Sequence, residues 1–279
     1  MIETAGQLLP VSGAQLYYRA VGTGPVLLLL PGGDGDADAF ASATSGLAER
    51  FRVVTLDRRG LSRSVLEEGA QEISIERHAD DAHAVLAALG ATPAYVFGGS
   101  IGALIGLALV TRHPGDVRAL IAFEPPAPGL LSSGARERAA ADQLSVQAAF
   151  RTGGVGAAMQ RFAQITAVNP ADCEADLPAV VPSVWRPRNL QFFLTHDGPA
   201  VARYHLDMAK LRRSATRILA AAGRTSGGAW PRQAAEALAA QLPCPLIELA
   251  GDHAGFVRHP RALVETLRSV FVPPAATPA

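Results

Sequence analysis

The segment Ala94-Tyr95-Val96-Phe97-Gly98-Gly99-Ser100-Ile101-Gly102-Ala103 constrains this chain more than any other. A short apolar strand pattern ends on Gly-x-Ser-x-Gly, and an apolar helical pattern from Ile101 to Arg112 follows at once. Gly98 and Gly102 suit a sharp, crowded corner that projects Ser100 above the carboxyl end of the strand. The free N–H groups of the helix's first turn lie behind the serine and suit an oxyanion. A dinucleotide fingerprint needs glycine where Ser100 stands, and a P-loop needs Gly-Lys-Ser/Thr, which is absent. The competing reading is a glycine-rich turn that binds nothing.

The same punctuation recurs along the chain. Val26–Leu30 is wholly apolar and stops at Pro31-Gly32-Gly33; Arg52–Leu56 stops at Asp57; Val117–Phe123 stops at Glu124-Pro125-Pro126. A short strand without alternation is one buried on both faces, as in a parallel sheet. Helical patterns lie between these runs, at about 39–49, 75–89 and 101–112. The alternation predicts an α/β fold with a mostly parallel central sheet flanked by helices. It breaks after Pro126. Residues 128–211 carry no strand pattern and read as helices over 135–150, 155–168 and 190–210. It resumes with a strand at 216–221, a helix at 232–241, a strand at 245–249 and a helix at 261–271. The expected organisation is a core of 1–127 and 212–279 interrupted by a helical insertion of 128–211, with a frayed Pro/Ala-rich tail at 273–279.

Composition narrows the function. Lys+Arg 25 against Asp+Glu 25 gives no basic excess for a nucleic acid. No run approaches the length of a membrane span, and Met1-Ile2-Glu3-Thr4 lacks the basic and apolar regions of a signal peptide. The 2 cysteines, Cys173 and Cys244, form neither a disulfide framework nor a zinc set. A cytoplasmic protein without metal or cofactor is expected, acting on a small molecule, with a homodimer left open. Asp34-Gly35-Asp36-Ala37-Asp38 opens like a calcium loop, but Ala39 and Ser45 stand where glycine and glutamate are needed, so these aspartates read as caps of the next helix.

On these segments the chain resembles the α/β-hydrolase superfamily over nearly its whole length. Leu30-Pro31-Gly32-Gly33-Asp34 is similar to the family's loop after the third strand, with Pro31 in place of a common histidine. Asp57-Arg58-Arg59-Gly60-Leu61-Ser62-Arg63-Ser64 is similar to its Asp-x-Arg-Gly-x-Gly-x-Ser turn, which makes Arg58-Arg59 a structural turn rather than an anion site. Ala250-Gly251-Asp252-His253-Ala254-Gly255-Phe256 is similar to its late histidine loop. The resemblance implies Ser100 as nucleophile, His253 as general base, and the N–H groups of Gly33 and Ile101 as oxyanion hole.

The third catalytic member departs from the pattern. In Gly223-Arg224-Thr225-Ser226, serine stands where the family usually has aspartate. Some members place the acid one strand earlier, where this chain has Glu124, and a carboxylate at a strand's carboxyl end faces the site of an open α/β sheet. Glu124 is therefore the expected acid; a structural or substrate-contacting Glu124, Asp252 as acid, or a site without a carboxylate stay open.

The insertion corresponds to the family's lid. Its aromatic residues suggest an apolar substrate. Trp185, Phe192 and Tyr204, with Asp34 at the pocket edge, are the candidate substrate contacts. Three function classes remain. The first is an ester- or lactone-cleaving serine hydrolase. The second is the same scaffold used for C–C bond hydrolysis, acyl transfer or cyclisation in biosynthesis. The third is a non-catalytic binding protein.

Overall fold

The computed structural model describes residues 6–70, 72–176 and 183–271; the tail expected to fray lies outside them. The chain opens with a hairpin, β1 (Gln7–Val11) and β2 (Ala14–Val21), turned at Gly13, whose φ of 78° suits glycine. Sequence reading omits β1 because Pro10 breaks its pattern; the strand lies at the sheet edge, where proline costs no ladder bond.

The α/β alternation then follows: β3 (Val26–Leu30), α1 (Ala41–Leu47), β4 (Arg52–Leu56), the two-residue β5 (Val65–Leu66), α2 (Ile75–Ala88), β6 (Ala94–Gly99), α3 (Ile101–Arg112) and β7 (Val117–Phe123). The helical stretch between β7 and the next strand holds α4 (Ser133–Ile165), α5 (Arg186–Phe192), a π-helical turn Phe193–Asp197, α6 (Gly198–Arg203) and α7 (Met208–Arg213). The core closes with β8 (Arg217–Gly223), α8 (Trp230–Gln241), β9 (Leu246–Leu249), α9 (Gly255–Arg258) and α10 (Pro260–Phe271).

The strand order is β1-β2-β4-β3-β6-β7-β8-β9, with β5 paired to β2. Every pairing from β4 through β9 is parallel, and those of β2 are antiparallel. The apolar strands serve two cores at once. Leu28 and Leu30 pack on the face covered by α2, α3 and α8, whereas Leu27 and Leu29 pack on the face covered by α1 and α10. That is why β3 shows no alternation: side chains at i and i+1 both meet protein. α3, apolar on all sides, is buried from Ile101 to Val110.

The helices expected at 135–150 and 155–168 are the two halves of α4, separated by a kink at Gly154, whose backbone is not helical (φ 71°, ψ −165°). One expectation shifts. The single pattern over 190–210 resolves into α5, the π turn, α6 and part of α7, with a break after Tyr204, whose ψ of 137° is extended.

Candidate active site

Ser100 turns the corner from β6 to α3 with φ 54° and ψ −121°. A non-glycine residue holds such a backbone only where its surroundings impose it. Here β3, β6 and α3 approach closely: a Cβ on Gly98 would collide with the Gly102 backbone, and one on Gly102 with the Leu30 carbonyl. The Ser100 N–H donates to the Phe123 carbonyl at 2.8 Å, which ties the corner to the end of β7.

Glu124 leaves β7 with φ 43°, and its N–H donates to the Ala221 carbonyl on β8 at 2.9 Å. Its carboxylate is fully buried. Oε1 accepts the Gly223 N–H at 2.8 Å, and Oε2 lies 2.5 Å from His253 Nδ1. His253 Nε2 lies 3.1 Å from Ser100 Oγ. Serine, imidazole and carboxylate thus form one hydrogen-bonded chain across the carboxyl ends of β6, β7 and β9.

Burial alone would push the Glu124 carboxyl up, but the hydrogen bond and charge of His253, with help from Ser226 and the Gly223 N–H, hold it below the usual carboxylate range. An ionised carboxylate only accepts, so the proton on the imidazole sits at Nδ1 and Nε2 is free to accept from the serine hydroxyl. Ser226, where aspartate was the usual expectation, is fully buried beside this carboxylate and favours its charge, although its hydroxyl makes no hydrogen bond of ordinary geometry. Asp252 does not meet the imidazole. Its two oxygens accept the Ala254 N–H at 2.8 Å and the Asn169 N–H at 2.6 Å.

Ser100 and His253 sit where two cavities meet. One, of about 480 Å³, is mainly apolar and runs under α4 and α6, past Val146, Phe162, Ile165, Leu194, Val201 and Trp230. Gln143 and Gln147 place polar groups in its wall. The other, of about 820 Å³, is bordered by Gly33, Asp34, Asp36, Trp185, Arg186 and Arg258 and is more polar. Ile101 lines the first cavity and Gly33 the second, with Ser100 common to both. As the first residue of α3, Ile101 has an N–H with no intrahelical acceptor.

Of the candidate substrate contacts, Asp34 and Trp185 border the second cavity, Asp34 in an ion pair with Arg186 at 2.8 Å. Phe192 and Tyr204, also expected as substrate contacts, border neither of these two cavities. Phe192 stands on Gly60 and against the His196 ring, and its neighbour Phe193 faces Ser100's cavity instead, since adjacent helical residues point in different directions. Tyr204 packs onto the core beside α3, with its hydroxyl near Thr111; burial raises its pKa to about 12.

The aspartates before α1 do not cap it. The helix begins after Phe40 without a side-chain cap. Asp36 instead accepts from Ser62 Oγ at 2.8 Å and Ser183 Oγ at 3.1 Å, and Asp38 pairs with Arg19 and Arg63. Elsewhere His83, His113 and Asp116 come together at the surface. The two rings stack at 3.9 Å with only 5° between planes, so their in-plane lone pairs do not converge on one ion.

Sequence reading missed the partners of Arg58, the cavity glutamines and the contribution of Trp230 from α8. Nothing local marks them. Their roles arise from elements that meet only in the folded chain.

Comparison with known proteins agrees with this architecture. The family model for the alpha/beta hydrolase fold matches residues 25–154. The uncharacterised hydrolase YraK of Bacillus subtilis (strain 168) is 34% identical over 267 residues, covering 94% of this chain and 94% of that protein. The esterase from Exiguobacterium antarcticum superposes with a TM-score of 0.74 at 18% identity, over 95% of this chain and 98% of its own. An N-acyl homoserine lactone degrading enzyme superposes with a TM-score of 0.72 at 23% identity, over 95% and 100%. The chain belongs to the alpha/beta hydrolase family and is a hydrolase. Among the described residues, no helix is long and apolar enough to cross a membrane.

Proposed function

We propose that the protein is a serine hydrolase that cleaves esters or lactones of apolar small molecules through an acyl-enzyme at Ser100. The observation that carries this reading is the continuous chain Ser100 Oγ–His253 Nε2, His253 Nδ1–Glu124 Oε2, at 3.1 and 2.5 Å. His253 takes the serine proton as Oγ attacks the substrate carbonyl. The N–H groups of Gly33 and Ile101 hold the negative oxygen of the tetrahedral intermediate. Collapse breaks the ester C–O bond, and the His253 proton passes to the leaving alkoxide. Water then attacks the acyl-enzyme, His253 again accepting a proton, and frees the acid and Ser100. Glu124 stays ionised throughout and stabilises the imidazolium.

The apolar cavity suits the hydrocarbon part of such a substrate, and the more polar cavity its other side. In this reading the insertion of 128–211 acts as a lid over the core of 1–127 and 212–279. The likeness to an esterase and to a lactone-degrading enzyme points to the same bond type. The test is a p-nitrophenyl acyl ester with wild type and Ser100→Ala, together with mass spectrometry after a fluorophosphonate. Loss of turnover and of the single adduct in the variant is expected. Near-wild-type turnover by Ser100→Ala would overturn the reading.

A further inference from the structure

Arg58, in the turn after β4, is buried with 2% of its surface exposed, yet it faces none of the reacting groups. Its guanidinium is spent on the loop that carries Gly33. Nη1 donates to the Gly32 carbonyl at 2.8 Å and more weakly to that of Pro31 at 3.4 Å, and Nη2 donates to the Gly33 carbonyl at 2.7 Å. Nη2 also meets Asp197 Oδ2 at 3.0 Å, 139 residues away in the π-helical turn of the insertion. Asp197 is fully buried, and its other oxygen lies 2.9 Å from Nε2 of His78 on α2. Buried charge is expensive unless paired. A pair placed here, between the loop and the insertion, has a consequence beyond packing.

The consequence follows from peptide geometry. The Gly32–Gly33 bond is trans, so the Gly32 carbonyl and the Gly33 N–H point in opposite directions. Nη1, the closer of two donors to that carbonyl, beside the Gly35 N–H at 3.2 Å, helps to fix the direction of the N–H on the other side. Glycines at both positions leave the peptide plane free to rotate unless something holds it. From above, the Phe193 ring stands where a Gly33 Cβ would be, and Phe193 belongs to the same π-helical turn as Asp197.

We propose that Arg58 is a positioning residue for the reaction: it orients the Gly33 N–H toward the oxyanion, and Asp197 holds Arg58 in place, so the oxyanion donor is set only when the insertion is seated. This rests on the serine-hydrolase reading given above. Arg58 touches no substrate atom; it acts through the Gly32–Gly33 peptide. The Asp197 carboxyl, which burial would push up, is held below its usual range by the charges of Arg58 and His78 and their hydrogen bonds, consistent with an ion pair that persists in the folded protein.

The test uses Arg58→Lys, Asp197→Asn and the double variant Arg58→Met/Asp197→Leu, which removes both charges of the Arg58–Asp197 pair together and leaves only the His78 ring without its Asp197 contact. Each is compared with wild type in p-nitrophenyl ester turnover and in inhibition by a trifluoromethyl ketone, which forms an oxyanion on Ser100. Every variant that folds, judged by near-UV circular dichroism, should lose kcat by roughly ten- to a hundredfold with KM little changed. Ketone affinity should fall in parallel. A role in packing alone would lower Tm and leave kcat and ketone affinity unchanged in the folded fraction, and that result overturns the proposal. If Ser100→Ala is itself active, the serine-hydrolase reading fails; if Ser100→Ala is dead while a folded Arg58 or Asp197 variant works normally, only this inference fails. The wild-type enzyme gives an independent check: in a crystal structure with the ketone bound, the oxyanion should contact the Gly33 N–H while Arg58 still holds the Gly32 carbonyl. An oxyanion held without Gly33 overturns the proposal even if none of the variants folds.

Discussion

Glu124 and His253 lie 129 residues apart in the chain and 2.5 Å apart in space, carboxylate oxygen to imidazole nitrogen. The contact forms because β7 and β9 flank β8 in the parallel sheet and both end at the same edge. Glu124→Gln keeps the shape and removes the charge that stabilises the imidazolium. We expect kcat for an activated ester to fall by roughly 10²–10⁴. Ser226→Ala, which leaves Glu124 and its Gly223 contact intact, should change kcat by less than about fivefold, since one buried neutral hydroxyl is worth about 1 kcal/mol or less. In the Glu124→Gln background, Ser226→Asp should recover part of the loss. Full activity of Glu124→Gln in steady-state assays would place the acid elsewhere.

Asp252 separates catalysis from structure. Its oxygens hold the Ala254 and Asn169 N–H groups, and so join the histidine loop to the segment that follows α4 in the helical insertion. Asp252→Asn retains one acceptor and loses the other, at a cost of about 1–3 kcal/mol for a buried, charge-assisted bond. Thermal melts should therefore show a lower Tm, while kcat measured below the transition stays within about threefold of wild type, since no residue in the proton path is touched. A dead but fully stable variant would contradict this.

The apolar cavity beside Ser100 predicts a chain-length preference. Each methylene buried there gains at most about 0.8 kcal/mol, which is up to roughly fourfold in kcat/KM. Across p-nitrophenyl acetate, butyrate and hexanoate, kcat/KM should rise at each step. A flat or falling series would show that this cavity does not receive the acyl group.

Acid should destabilise the protein through its buried carboxylates. Glu124 and Asp197 are both held below their ordinary values, each against the effect of burial, by their cationic and hydrogen-bonding partners. A depressed pKa means that folding favours the ionised form. The stability this adds is complete above the unfolded value of about 4 and is lost as pH falls through the folded value. Tm should hold steady down to about pH 5 and drop below about pH 4. Glu124→Gln, which no longer binds a proton at this site, should show a shallower acid decline by circular dichroism. An identical acid decline in the variant would mean that Glu124 carries no part of it.

Sequence alone determined what is local. The corner at Ser100 is legible because its requirements fall on consecutive residues: small at Gly98 and Gly102, apolar before and after. β3, β4 and β7 are legible to the residue because strands buried on both faces leave largely apolar runs without alternation, and each meets a hard stop at Pro31, Asp57 or Glu124. Glu124 and His253 are legible as residues at strand ends. Tertiary structure decided what depends on how elements meet. Whether Phe192 or Phe193 faces the cavity is a matter of helical rotation against Gly33 and Gly60, and the pattern of apolar residues does not resolve neighbours roughly 100° apart. The aspartates before α1 were drawn from capping into contacts with Ser62, Ser183, Arg19 and Arg63, partners supplied by other loops and strands. Arg58 reads as part of a turn in the sequence. Only the docking of the insertion brings Asp197 to it, because a buried ion pair between distant segments is chosen by the packing of the whole chain and leaves no mark in either segment alone.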